Sequence, residues 1–154
     1  MIRLLAFSMF LIGGCTSSIT ETTDTDSADS VSTTAPVKSS PQGCYAWQSG
    51  KDSAALNLQV AGGQISGTLS YNLFEKDKNK GTITGNIKDD LIIADYTFQS
   101  EGMTSVREVV FKIDGENLIE GMGDIDVDGD TARFKSKTEL EFNTDRPFIK
   151  TACE

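Results

Sequence analysis

Histidine is absent from all 154 residues. Its absence removes the Ser-His-Asp and Cys-His nucleophile systems, the usual zinc sites, and the side chain that most readily changes charge near neutral pH. Carboxylate acid–base chemistry and oxygen-ligand metal sites are what remain. Basic residues are also scarce: 14 Lys and Arg stand against 23 Asp and Glu, a formal charge of −9. The one basic cluster, Lys76-Asp77-Lys78-Asn79-Lys80, is interrupted. Nucleic-acid binding rests on neutralising phosphates with Lys and Arg, so no nucleic-acid partner is expected. Nothing in the composition calls for a cofactor.

The N-terminus has a pattern of its own. Arg3 precedes an apolar run over residues 4–12 broken only by Ser8, and the run ends in Gly13-Gly14-Cys15. A basic start, a short apolar stretch and small residues before a cut site describe a secretory signal, too short to span a bilayer permanently. Leu11-Ile12-Gly13-Gly14-Cys15 resembles the lipobox of bacterial lipoproteins. The resemblance implies that residues 1–14 are removed and that Cys15 is acylated, making the lipid bilayer a partner. Each buried methylene of an acyl chain adds about 0.8 kcal/mol, so several chains hold a protein to a membrane almost permanently. With Thr16 rather than Asp after the lipidated cysteine, the enteric sorting rule implies an outer-membrane location, facing periplasm or cell surface.

Residues 15–43 read as a tether. Ser, Thr and Asp dominate, with Pro36 and Pro41 and no aromatic side chain before Tyr45. Such a segment cannot bury enough surface to offset its ordering entropy and is expected to be disordered, with a reach of about 28 Å. Glu21, Asp24, Asp26 and Asp29 also fit a surface-export address, and the Ser/Thr content fits O-glycosylation.

With Cys15 assigned to lipid, Cys44 and Cys153 are left as a pair. In an exported chain an even remainder reads as a disulfide, here joining the two ends of a folded domain at residues 44–154.

Apolar and polar residues alternate with period two across residues 55–142, and no window supports a helix of more than a turn or two. Leu56, Leu58 and Val60 form one apolar set, Ile65, Leu69, Tyr71 and Leu73 the next, then Ile83 and Ile87, then Ile92, Ala94, Tyr96 and Phe98, then Val109, Phe111 and Ile113. Turn signals at Gly62-Gly63, Asp89-Asp90 and Asp114-Gly115 separate them. The expected fold is all-β: a single small antiparallel up-and-down β-barrel of eight to ten strands, with a two-sheet sandwich as the alternative. Gly67, Gly85, Gly121 and Gly123 fall inside strands, where glycine permits sharp bends.

The stretches Gly67-Thr68-Leu69-Ser70-Tyr71-Asn72 and Ala94-Asp95-Tyr96-Thr97-Phe98-Gln99, with their continuations to Asn79 and Phe111, are similar to small uncharacterised lipoproteins of Bacteroidetes-type bacteria. That family implies no activity. The pattern resembles calycins (lipocalins and streptavidin) in architecture only, and no signature motif of either is present.

Three constellations can carry chemistry. Asp124, Asp126 and Asp128 precede Gly129 at the opening positions of a calcium loop, but Lys135 stands where the bidentate Glu belongs. They therefore form either a weak calcium site or a solvated hairpin tip. If Val109 and Phe111 face inward, so does Arg107; with Leu118 and Met122, Glu120 joins it. Arg107 and Glu120 are then either a buried structural lock or, with Tyr71 and Tyr96, a receptor for the carboxylate of a small amphipathic ligand. Glu101, Glu108 and Glu120 offer a catalytic carboxylate pair. Tyr45 and Trp47 are expected to cover the disulfide. The leading functional expectation is a non-enzymatic binding or structural module of the cell envelope. The alternatives are an inhibitor or assembly partner of another envelope protein, using a loop at residues 75–80, and a carboxylate hydrolase.

Overall fold

A computed structural model describes residues 40–76, 78–100 and 102–153. The expected signal segment, Cys15 and the expected tether up to residue 39 lie outside the described residues. The described residues belong to one compact unit.

The described chain is all β. Seven strands follow one another as antiparallel hairpins: β1 (Gly43–Ser49), β2 (Asp52–Ala61), β3 (Gln64–Asn72), β4 (Lys78–Lys88), β5 (Leu91–Ser100), β6 (Met103–Asp114) and β7 (Asn117–Met122). Four short strands complete the sheet: β8 (Ile125–Asp128), β9 (Thr131–Phe134), β10 (Glu141–Phe142) and β11 (Ile149–Thr151). The hairpins are tight because the turn residues suit them. Gly62 and Gly63 hold φ of 58° and 81° between β2 and β3, a conformation open to glycine at no steric cost.

Pairing runs β10-β7-β6-β5-β4-β3-β2-β1-β11. Two features differ from the expected barrel. The sheet is mixed, because β9 lies parallel to β6. It is also not closed into a barrel: its ends are β10 and β11, and a single isolated bridge links Leu118 of β7 to Phe148 just before β11. That bridge carries two backbone bonds, Leu118 N–H to Phe148 O at 3.0 Å and Phe148 N–H to Leu118 O at 2.8 Å.

Strict alternation puts one whole face of this sheet in the core. Leu56, Leu58, Ile65, Leu69, Ile83, Ile92, Ala94, Val109, Phe111 and Leu118 are buried there with Tyr45, Trp47 and Phe148. Neighbouring strands approach closely on this face. A Cβ at Gly67, Gly81 or Gly85 would run into the carbonyl oxygen of Asn57, Thr97 or Ile93 on the neighbouring strand. Gly67 and Gly85 thus sit where neighbouring strands come too close to admit a Cβ. Gly121 and Gly123 do something else: they face outward, under Leu140 and Phe142.

Cys44 and Cys153 form the disulfide, with Cα atoms 5.2 Å apart and 109 residues of sequence separation. The register Cys44↔Thr151 on β1 and β11 sets the two ends of the domain side by side. A loop of that length lowers the unfolded chain's entropy by an equivalent of about 4–5 kcal/mol in the chain-entropy account. Tyr45 and Trp47 do not cover this bridge. Both point into the core, where Trp47 meets Phe148 edge-on at 6.3 Å. Tyr45 donates its hydroxyl to Pro41 O at 2.6 Å, so the chain is held a little before β1 begins.

Candidate functional site

At the end of the inner face where β1 finishes, the apolar filling gives way to polar side chains. The cavity there has a volume of about 190 Å³ and is walled by Trp47, Tyr71, Leu73, Asn79, Arg107, Glu120, Met122, Asn143 and Arg146. Its strands contribute by parity. Tyr71 continues the Ile65–Leu69 row of β3, Arg107 continues the Val109–Phe111 row of β6, and Glu120 follows Leu118 on β7. Asn79 sits opposite Tyr71 in the β3–β4 register.

The Tyr71 hydroxyl donates to Glu120 Oε1 at 2.6 Å. Burial pushes the Glu120 carboxyl above its ordinary value, opposed by that hydrogen bond and by the charges of Arg107 and Arg146. Burial likewise drives the Tyr71 phenol well up, and the Glu120 charge adds to the shift. Neither arginine pairs with Glu120 within 4.0 Å among the described residues. Arg107 and Arg146 are exposed at the cavity's rim, and Arg146 lies 5.5 Å from the Trp47 ring. The Asn79 side-chain oxygen is buried without a hydrogen-bond partner.

Three of the four ligand residues expected from the sequence, Tyr71, Arg107 and Glu120, therefore share one cavity. The buried Arg107–Glu120 lock does not form: Arg107 is too exposed, and the carboxylate takes a tyrosine hydroxyl instead. Tyr96 stands behind the site rather than in it. It stacks on Phe98 at 4.7 Å, meets Tyr71 edge-on at 6.0 Å, and keeps a buried hydroxyl with no partner. Burial raises its phenol to about 12. Trp47, Leu73, Asn79, Met122, Asn143 and Arg146 were not expected here. Asn79 was legible in principle, once the β3–β4 turn was known to span residues 73–77, because the register then sets it opposite Tyr71.

The other constellations come apart. Glu108 and Glu120 face opposite sides of the sheet and cannot flank one bond, and Glu101 lies outside the described residues. Glu108 is only 5% exposed on the outer face. It accepts from Phe134 N–H at 3.0 Å and pairs with Lys137 at 3.1 Å, which fastens β9 down. Arg133 on β9 grips Asp95 of β5 through two bonds of 2.7 and 3.0 Å.

Asp126 and Asp128 lie on the fully exposed β8, with Asp124 just before it, and Asp126 is 3.8 Å from Lys135. Among the described residues, no three such side chains come together to hold a metal ion. The 75–80 loop is shorter than expected, because Lys78, Asn79 and Lys80 belong to β4.

Comparisons with known proteins give no match: no family model, no curated protein and no solved structure resembles this chain.

Proposed function

We propose that the protein is a lipid-anchored, non-enzymatic envelope module that binds a small amphipathic ligand in the cavity beside Glu120. The observation that carries this reading is the convergence, in about 190 Å³, of two rim guanidiniums, a half-buried Tyr71–Glu120 pair and the apolar faces of Trp47 and Leu73. A few placed polar groups against an apolar wall is the usual make-up of a ligand site, although this volume falls below the 300–1,000 Å³ or so of drug-sized pockets. The occupant is accordingly small, or only the head of something longer. The two Leu118–Phe148 backbone bonds support treating the curled sheet as a calycin-like barrel with its cavity at one end. Anchoring rests on the Leu11–Cys15 pattern, which implies an acylated Cys15, and the outer-membrane location rests on Thr16 in the position after it.

Mass spectrometry of the full chain, gently extracted from its own membrane, tests both parts. The expected spectrum shows an acylated Cys15 and a small retained mass, and the double variant Arg107→Gln/Arg146→Gln loses that mass. An unacylated N-terminus would end the anchoring proposal, and a cavity empty in every extraction would end the binding one.

A further inference from the structure

We infer that the ligand is a small zwitterion of amino-acid size, with its ammonium group held by Glu120 and Asn79 and its carboxylate by Arg107 and Arg146. The inference rests on the binding reading above and narrows it.

The inner part of the cavity has acceptors in excess. Glu120 spends one oxygen on Tyr71, and its other oxygen, Oε2, has no hydrogen bond among the described residues. The Asn79 side-chain oxygen has none either. Leaving a buried acceptor unsatisfied costs about 1–3 kcal/mol, more for a charged one. An anionic amphiphile entering tail-first would leave the Asn79 oxygen unsatisfied and would cover Glu120 Oε2 with methylenes, adding that cost at a second acceptor. An ammonium carries three donors and no acceptor, enough for Glu120 Oε2 and the Asn79 oxygen together.

The rim has the opposite excess. Among the described residues, no carboxylate lies within 4.0 Å of Arg107 or Arg146. A plain amine would leave both guanidiniums without an anion, whereas a carboxylate meets the fork geometry that arginine presents. Only a molecule bearing both charges satisfies both ends. The volume of about 190 Å³ suits a single small skeleton, with its apolar part against Trp47 and Leu73. The upward pull that burial exerts on the Glu120 carboxyl would be relieved by the bound ammonium.

Calorimetric titration of the full chain in detergent tests the assignment with matched probes. L-Leucine and L-alanine carry both groups, their amides lack the carboxylate, and 4-methylpentanoate and propionate lack the ammonium. One amino acid of the two is expected to bind at least about tenfold more tightly than its amide or its deaminated analogue, the loss of one charge-assisted contact. Glu120→Gln should weaken the amino acid and the amide while leaving the deaminated acid unchanged. Arg146→Gln should weaken the amino acid and the deaminated acid while sparing the amide. Asn79→Leu provides a second, uncharged test of the ammonium site, and thermal melts matching the parent show that each variant folds.

A deaminated acid that binds as tightly as its amino acid and ignores Glu120→Gln would overturn the zwitterion and leave the broader binding reading standing. Silence from all six probes would overturn the zwitterion. An empty cavity in the membrane extract would overturn both.

Discussion

Glu108 and Glu120 sit on adjacent strands, one on each face of the same sheet, and they are kept in opposite conditions. Glu108 is enclosed by the β8–β9 ribbon, and its carboxylate is used up by a backbone N–H and the Lys137 ammonium. Glu120 is enclosed by the curl of the sheet, receives one tyrosine hydroxyl, and keeps an oxygen open toward a cavity. A carboxylate with all its partners is a fastening. One left short of partners is a place where something else can bind. Burial alone does not separate the two roles; the count of donors does.

Truncating each carboxylate should sharpen that contrast. Glu108→Ala strands the Phe134 N–H and the Lys137 charge, and a cost of about 2–4 kcal/mol in urea unfolding is expected. The loss should be accompanied by faster amide exchange in β8 and β9. A cost below about 1 kcal/mol would mean that the ribbon holds by other means.

Glu120→Gln should change stability at neutral pH by no more than about 1 kcal/mol, because the amide oxygen can still accept from the Tyr71 hydroxyl. Its signature lies in the pH profile. The folded-state pKa is raised above the ordinary 4.5, so between that value and the folded one the native state binds more proton than the unfolded chain. Stability must therefore fall as pH rises through that window, and the fall should vanish in the variant. Melting temperatures across mildly acid pH, parent minus variant, read it directly.

An effect of opposite sign is expected at Tyr96→Phe. Its hydroxyl is buried without a partner while the ring keeps its stack on Phe98, so removal should stabilise the protein by about 1 kcal/mol. Destabilisation of that size would reveal a partner for the hydroxyl.

The inner face was readable in advance because nothing but the period of two is needed to place Leu56, Ile83 or Phe111 inside. The same phase carried Arg107, Glu120 and Tyr71 to one region. The outer cluster was not readable. Val110 and Ile119 are buried beside Phe111 and Leu118, so β6 and β7 are covered on both sides there and alternation says nothing about the second layer. The parallel pairing of β9 with β6 likewise depends on a contact between distant segments that no local pattern encodes. Arg146 joined the cavity for a similar reason: it lies between β10 and β11, where no strand period assigns it a side. The disulfide followed from parity of cysteine number, but the core role of Trp47 did not, since proximity to Cys44 in sequence suggested another neighbour.

The course of β1 has one more consequence. The chain comes into the domain at Gly43, beside the Cys44–Cys153 bridge, and reaches the cavity only at Trp47, four residues further along an extended strand. The bridge and the cavity therefore lie toward opposite ends of β1.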